Sequence, residues 1–261
     1  MSAKQERLRQ ILTALETRHF MNMGELARAF GVSEMTVRRD AKELAEQGSV
    51  RLVYGGVASP YTEAHSAAYM AQAEQSEHTA EKRGIAEAAC QFIAPGDVIF
   101  LDSGTTIQQF AEFFPTDVEY TLVCYSLNTL NIITKLENCT VIAPGGVFSP
   151  RSLVFSGPDT VNVIRKYRAN KAFLGATGYE MKHGLTCSYV EDAPLKQAVM
   201  DSSVEKILLM DSSKFGKVST CNFADIGDFS AVITDSGISS EYAQHIRSHG
   251  ARLLVVGGDE T

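Results

Sequence analysis

The chain has 261 residues, of which 44% are hydrophobic and 21% are charged, as in an ordinary globular protein and unlike a disordered or fibrous one. No apolar run is long enough to span a bilayer and the N-terminus is charged from the start, so we expect no transmembrane helix, no secretory signal and a cytoplasmic location. The net charge of −7 arises beyond residue 60. Residues 1–60 hold nine Lys or Arg against seven Asp or Glu. Residues 61–261 therefore hold the other 15 of the 24 basic residues and the other 24 of the 31 acidic residues. The overall acidity therefore does not exclude a DNA-binding N-terminal domain.

The cysteines give no indication of a metal site. They lie far apart, with no C-x-x-C pair and no histidine at ligand spacing. We therefore expect free thiols, no bound metal and no cofactor. The five are Cys90, Cys124, Cys139, Cys187 and Cys221.

The N-terminal part has the pattern of a winged helix-turn-helix. Residues 3–18 carry an apolar stripe typical of a helix, and a second helix is predicted over 24–30. Gly31 can adopt the positive φ that ends it, and a third helix is predicted over 33–47. Residues 49–56 then predict a short hairpin, which would form the wing.

The third helix and the wing carry the residues that we expect to contact DNA. Ser33 is a natural N-cap, and the side chains near the start of a recognition helix read base edges in the major groove. Arg51, in the predicted wing, can reach a phosphate or the minor groove. The predicted DNA-binding residues are Ser33, Met35, Thr36, Arg38, Arg39 and Arg51.

The remainder of the chain predicts a linker and a second domain. Residues 58–76 are small, polar and aperiodic, which separates a DNA-binding domain over 1–57 from a domain over 77–261. A helix is predicted over 78–93. Beyond it, seven short apolar runs alternate with helical segments, which indicates a Rossmann-like, mostly parallel α/β sheet. The runs are 98–101, 121–124, 140–143, 171–176, 206–210, 231–234 and 252–256.

The loops after these strands are the predicted ligand site, because ligands bind beyond the carboxyl ends of parallel strands. Small and hydroxyl residues there let backbone N–H groups approach a phosphate, although a simple capped turn has the same pattern. Of the two lysines in these segments, Lys214 is favoured as the positive charge. The predicted ligand-binding residues are Asp102, Ser103, Gly104, Thr105, Thr106, Ser126, Asn128, Gly145, Gly146, Gly178, Glu191, Lys196 and Lys214.

Both parts resemble one known family. Residues 32–40, with Gly48, Arg51 and Gly55-Gly56, resemble the N-terminal signature of DeoR-type bacterial transcriptional regulators. The family's sensor domain is related to ribose phosphate isomerases and CoA transferases, and the resemblance covers nearly the whole chain. The segments that resemble this sensor domain are 102–106, 145–146, 172–178, 184–186 and 211–216.

The resemblance implies a repressor that binds double-stranded operator DNA and is released by a phosphorylated sugar. Residues 123–129 and 213–218 are most similar to regulators of deoxyribose catabolism, which favours deoxyribose 5-phosphate as the effector. A homodimer or larger homo-oligomer is expected, because paired recognition helices read half-sites about a helical turn apart. The chain departs from the family pattern at Ala41 (commonly leucine), Tyr54 (often histidine) and Asn170 (frequently aspartate).

An enzyme is the alternative interpretation. A sugar-phosphate isomerase or related transferase could use Glu191, Asp211 and Lys214 as acid-base groups. A winged helix has no obvious use in such an enzyme, and a shared fold does not imply a shared function. The sequence therefore favours a regulator without enzymatic activity.

Overall fold

The computed structural model describes residues 3–18, 20–53, 56–59 and 78–257. The chain divides into two compact units, Met1–Glu77 and His78–Thr261. Within the described ranges, no helix combines the length and the apolar character needed to cross a membrane.

The first unit is a winged helix-turn-helix, as predicted. Strands β1, β3 and β2 form an antiparallel sheet in that order. Strand β1 was not expected from the sequence, because three residues are too few for an alternating pattern to be visible. The elements in chain order are α1 (Ala3–Arg18), β1 (Phe20–Asn22), α2 (Met23–Phe30), α3 (Glu34–Glu46), β2 (Arg51–Val53) and β3 (Gly56–Ala58).

Local sequence signals set the helix boundaries in this unit. The Asn22 side chain accepts a hydrogen bond of 2.6 Å from the backbone N–H of Glu25, whose carboxylate accepts one of 3.3 Å from the N–H of Asn22, which is a capping box. Gly31, at φ 62°, ends α2, and Ser33 caps α3. The predicted helices therefore coincide with α2 and α3 to within one residue at each end.

The wing differs from the sequence expectation at its second strand. Strand β3 runs through Ala58, one residue into the predicted linker, and Val57 is fully buried in the core. The tip of the predicted hairpin, residues 54–55, and most of the predicted linker, residues 60–76, lie outside the described residues.

The second unit contains a seven-stranded parallel sheet in the order β15-β14-β12-β9-β4-β5-β6. Each of its strands overlaps one of the seven predicted apolar runs, with bounds that differ by up to three residues. They are β4 (Val98–Leu101), β5 (Tyr120–Cys124), β6 (Cys139–Ile142), β9 (Ala169–Leu174), β12 (Ser203–Leu209), β14 (Ala231–Asp235) and β15 (Arg252–Val256).

Helices and two small antiparallel sheets cover the large sheet. The predicted helix over 78–93 is α-helical to residue 89 and continues as a 3-10 turn, Cys90–Phe92. The helices are α4 (Thr79–Ala89), α5 (Thr105–Ala111), α6 (Leu127–Ile133), α7 (Pro158–Ile164), α8 (Asp192–Asp201) and α9 (Ser240–Ser248). One small sheet pairs β7 (Val147–Ser149) with β8 (Val154–Ser156). The other has three strands in the order β10 (Gly178–Glu180), β11 (Gly184–Cys187) and β13 (Cys221–Ala224).

The strand order places a switch point between β4 and β9. From β4 the chain adds β5 and β6 on one side and then returns to add β9, β12, β14 and β15 on the other. The space beyond the carboxyl ends of these two strands is where an open α/β sheet generally has the crevice that binds ligands. Both faces of the sheet are buried: Phe100 packs into one core cluster, and its neighbours Ile99 and Leu101 pack into another.

Candidate functional site

Helix α3 of the first unit has one buried face and one exposed face. Val37, Ala41 and Leu44 recur at helical spacing and are at most 2% exposed. Ala41 is completely buried. The opposite face presents Met35, which is 68% exposed, and the guanidinium-bearing side chains of Arg38 and Arg39.

The other predicted DNA-binding residues have different environments. Ser33 accepts a 3.3 Å hydrogen bond from the N–H of Thr36, and the two hydroxyls are 3.0 Å apart, so both are engaged in capping α3. Strand β2 begins at Arg51, whose side chain lies outside the described residues. Asp40 is 2% exposed and pairs at 2.5 Å with Arg7 of α1, so its charge is neutralised inside the unit and does not oppose a phosphate backbone.

In the second unit, a buried polar cluster lies at the switch point of the parallel sheet. Asp102, directly after β4, is completely buried. Its Oδ1 accepts a hydrogen bond from the hydroxyl of Tyr125, after β5, and its Oδ2 accepts bonds from Nζ of Lys196 and, at 2.9 Å, from the N–H of Gly175, after β9. Loops from three adjacent strands are thus joined through one carboxylate.

Lys196 reaches this carboxylate from α8 and is only 4% exposed. Its ammonium also donates to the carbonyl oxygen of Gly175 at 2.9 Å and lies 5.0 Å from the ring centre of Phe223. Burial, followed by the charge of Asp102, raises the pKa of Tyr125 well above its ordinary value. The phenol therefore stays protonated and donates, while the charge of Lys196 is already compensated by Asp102.

At the start of α8 the structure separates two neighbouring acids. Glu191 is exposed at the N-cap, whereas Asp192 is 7% exposed and its Oδ1 has no hydrogen-bond partner among the described residues. Burial raises the pKa of the Asp192 carboxyl to about 6; Lys196 lowers it, and Asp102 and Glu191 raise it further. Glu191, which the sequence predicts to be in the site, is therefore exposed, and the buried acid is Asp192, which was not predicted. The spacing of four residues between Asp192 and Lys196 is the signal that places both on one helix face.

We predict that Asp192 makes stability depend on pH. Its pKa rises from 3.8 to about 6 in the folded protein, so between these values the folded state keeps a proton that the unfolded chain has lost. The free energy of unfolding therefore falls as pH rises from about 4 to 6, by up to about 3 kcal/mol. Urea unfolding at pH 4 and pH 7 should show that Asp192→Asn removes this fall, whereas Asp201→Asn, at the exposed end of α8, retains it. Equal pH profiles for all three proteins would contradict the prediction.

The loop after β4 contributes further predicted residues, but with unequal exposure. Thr106 is buried, Ser103 and Thr105 are half-buried, and Gly104 is exposed at φ 114°. A Cβ added to Gly104 would meet no atom within 4 Å, so the space over this loop is open. Helix α5, which follows, has only seven residues, so its dipole gives little support to a phosphate at this position.

The loops after β5 and β6 lie at one side of the cluster. Ser126 is buried and its Oγ accepts a 3.3 Å hydrogen bond from the hydroxyl of Thr129, while Asn128 is half-buried. The carbonyl oxygen of Gly145 accepts a 2.7 Å bond from the hydroxyl of Thr160, and Gly146 is packed closely against α7 and β8. Gly145 and Gly146 are therefore placed by their contacts with α7.

Gly146 should tolerate substitution less well than Gly104. The two glycines have nearly the same φ, 112° and 114°, but a Cβ on Gly146 would overlap the Thr160 hydroxyl and lie 2.7 Å from the Ser156 carbonyl oxygen. We expect backbone strain of about 1–3 kcal/mol in both Ala variants, and about 1–3 kcal/mol more from overpacking in Gly146→Ala. Urea denaturation measures the difference; equal losses would show that the overlap is relieved without cost.

The remaining predicted residues come together on the other side of the cluster. Gly178 packs against the backbone of Lys217, and the N–H of Gly216 donates to the carbonyl oxygen of Tyr179 at 2.8 Å. These contacts bring β10, the strand that follows β9 in the chain, next to the loop after β12. Lys214, in this second loop, is half-buried and forms no ion pair within the described part of the chain.

The structure thus adds three residues that the sequence did not select: Tyr125, Gly175 and Asp192. No group of three or more His, Cys, Asp or Glu among the described residues could hold a metal ion. The described thiols are all free, with Cys124 and Cys187 buried and the others partly buried.

Comparison with known proteins identifies both units. The DeoR-like helix-turn-helix domain matches residues 7–63, and the DeoR C terminal sensor domain matches residues 77–236. The curated relatives include the HTH-type transcriptional regulator IolR of Bacillus subtilis (strain 168), 33% identical over 88% of this chain and 90% of that protein. The deoxyribose operon repressor of Escherichia coli (strain K12) is 30% identical over 96% of this chain and 98% of that protein.

The chain is therefore a DNA-binding regulator with a C-terminal sensor domain, and it belongs to the DeoR family of transcriptional regulators. The family resemblance predicted from the sequence is confirmed. Among solved structures, ribose 5-phosphate isomerase A of Methanocaldococcus jannaschii matches at 18% identity over 51% of this chain and 53% of that one, with a TM-score of 0.38. This last likeness is weak.

Proposed function

We propose that this regulator is a repressor controlled by a phosphorylated sugar, with deoxyribose 5-phosphate favoured. The effector binds beyond the carboxyl ends of the parallel strands and relieves repression of genes for sugar or deoxynucleoside catabolism. The observation that carries the proposal is the buried cluster of Asp102, Tyr125 and Lys196 at the switch point of the sheet. The protein acts on double-stranded operator DNA in the cytoplasm, as a homodimer or a larger homo-oligomer.

The charges around the crevice suggest how the sugar phosphate is oriented. Lys196 is neutralised by Asp102, and Asp192 adds a second carboxylate, so this part of the crevice suits hydroxyl groups better than a phosphate. Lys214 has no carboxylate partner among the described residues and can attract the phosphate as a compact point charge. A Cβ on Gly104, in the loop after β4, would meet no atom within 4 Å, so this loop leaves room for a ligand.

The identity of the sugar is supported by relatedness alone. The deoxyribose operon repressor of Escherichia coli is similar over nearly its full length, and residues 123–129 and 213–218 carry the specific resemblance. Release of DNA requires that the effector bind the DNA-competent and DNA-incompetent states with different affinity, typically by about 1–3 kcal/mol. By linkage, the effector weakens operator binding by the same factor by which operator DNA weakens effector binding.

A thermal-shift screen of the full chain tests the proposal. A ligand that binds only the folded state raises its apparent stability by an amount that grows with affinity and concentration. We expect stabilisation by a pentose or deoxypentose phosphate, strongest for deoxyribose 5-phosphate, and release of operator DNA by the same compound. Absence of any shift across pentose, hexose and deoxysugar phosphates would refute the effector assignment.

Substitution of Lys214 tests the phosphate position. We expect Lys214→Ala to bind operator DNA as the unchanged protein does, because the substituted side chain is in the sensor domain. Its response to sugar phosphate should be lost, since a compact positive charge is removed. A mobility-shift titration with and without deoxyribose 5-phosphate measures both properties, and full release from the variant would remove Lys214 from the site.

The same purified protein also tests the alternative of an enzyme. We propose that the sensor domain has no catalytic activity, and the relatives named above are a regulator and a repressor. Incubation with ribose 5-phosphate and with deoxyribose 5-phosphate should leave both compounds unchanged. Turnover that depends on Glu191, Asp211 or Lys214 would show that regulation is not the only activity.

A further inference from the structure

Asp192 is a buried carboxylate that no contact within the described fold explains. Its residue is 7% exposed, and Oδ1 is fully covered without a hydrogen-bond partner among the described residues. Buried carboxylate oxygens normally accept hydrogen bonds, and leaving one unpaired costs free energy. An acceptor that the described residues leave unpaired points to a hydrogen-bond donor from a bound molecule.

The position of Asp192 shows where that donor must lie. Asp192 and Lys196 are four residues apart on α8, so their side chains are on one face, a turn apart. The charges of Lys196 and Asp102 both act on the Asp192 carboxyl, and the charge of Asp192 acts in turn on Tyr125. Asp192 therefore adjoins the cluster at the switch point, whereas the neighbouring Glu191 is exposed.

We infer that Asp192 is a specificity-determining residue of the effector site and accepts a hydrogen bond from a sugar hydroxyl. This inference rests on the proposed function and adds to it the group that the site recognises. A carboxylate cannot accept a bond from a phosphate dianion, which has no proton to donate and carries like charge. Asp192 therefore selects the hydroxyl end of the effector and rejects inorganic phosphate or a ligand bound in the reverse direction.

The neighbouring contacts explain why this role falls to Asp192 and not to Asp102. Both oxygens of Asp102 are occupied, by Tyr125 on one side and by Lys196 and Gly175 on the other. The hydroxyl of Tyr125 and the ammonium of Lys196 are likewise engaged with Asp102. Of these buried polar groups, Asp192 has the acceptor left without a partner in the described fold.

Calorimetric titration of the full chain with deoxyribose 5-phosphate and with inorganic phosphate tests the inference. Asp192→Ala should weaken sugar-phosphate binding about 10- to 100-fold, as expected for loss of a hydrogen bond to a charged group. Its binding of inorganic phosphate should be unchanged or tighter. Asp201→Ala, at the exposed end of the same helix, should bind both compounds as the unchanged protein does.

Analogues that each lack one hydroxyl of deoxyribose 5-phosphate complete the test as a double-mutant cycle. The analogue that lacks the hydroxyl bound by Asp192 should bind the unchanged protein weakly. Its affinity should not fall further in Asp192→Ala, because the hydroxyl that Asp192 would bind is already missing. Asp192→Asn, which keeps the shape of the side chain, replaces the alanine variant if that one does not fold, and should lose affinity in the same direction.

The outcomes separate the inference from the function on which it rests. If the unchanged protein binds deoxyribose 5-phosphate and the Asp192 variants bind it equally well, the inference is wrong and the proposed function stands. An equal loss for sugar phosphate and inorganic phosphate would also overturn the inference, because it would indicate a general structural role. If the unchanged protein binds no sugar phosphate, the proposed function itself fails.

Discussion

Replacing Lys196 by methionine should destabilise the sensor domain by about 3–5 kcal/mol, which is the usual cost of leaving a buried charge without its partner. Asp102 is completely buried, and Lys196 is its cationic partner. The hydrogen bonds from Tyr125 and Gly175 remain in the variant, but neither brings a positive charge. Urea unfolding of the full chain, followed by a probe specific to the second unit, measures the loss.

Two comparisons show whether the loss arises from the unpaired charge. The double variant Asp102→Asn with Lys196→Met should recover most of the stability, because the carboxylate that needed compensation is gone. Lys214→Met should change the free energy of unfolding by less than about 0.5 kcal/mol, since Lys214 forms no ion pair among the described residues. If Lys196→Met lowers the free energy of unfolding no more than Lys214→Met does, the prediction is wrong, and water then compensates the charge of Asp102 in the variant.

Replacing Arg38 or Arg39 by alanine should cost about 1–3 kcal/mol of operator binding if the side chain contacts a base, equivalent to roughly 5- to 150-fold in affinity. Both side chains lie on the exposed face of α3, opposite the buried Val37 and Ala41. Because this face does not take part in the core, the variants should fold normally. Mobility-shift titration against operator DNA and against a shuffled sequence measures the affinity and the specificity separately.

The two arginines can be told apart by how the loss is distributed. A base contact reduces binding to the operator and relaxes sequence preference at one position, whereas a phosphate contact weakens binding to all sequences and reduces the salt dependence. Arg247→Ala, on the exposed side of α9 in the sensor domain, should leave both properties unchanged. Unchanged operator binding in both α3 variants would show that α3 is not the recognition helix.

The secondary structure was predictable because its signals are local. The apolar runs of β4 to β15 alternate with helical segments, and all seven strands of the parallel sheet were located from this pattern. Gly31 and Ser33 fixed the helix-turn-helix in the same way, because a positive φ and an N-cap depend on neighbouring residues only. The family followed from the longest of these local motifs.

The sequence by itself determined that Asp102, Lys196 and Lys214 belong to segments near the strand ends, but only the tertiary structure decided what each of them contacts. Pairing of Asp102 with Lys196 joins residues 94 positions apart, and no local pattern encodes such a distance. Which of Glu191 and Asp192 is the buried acid depends on which side of the α8 N-terminus is covered by the rest of the fold. Burial and charge compensation are properties of the packed chain, and they make Asp192, rather than its neighbour, the unsatisfied group beside the crevice.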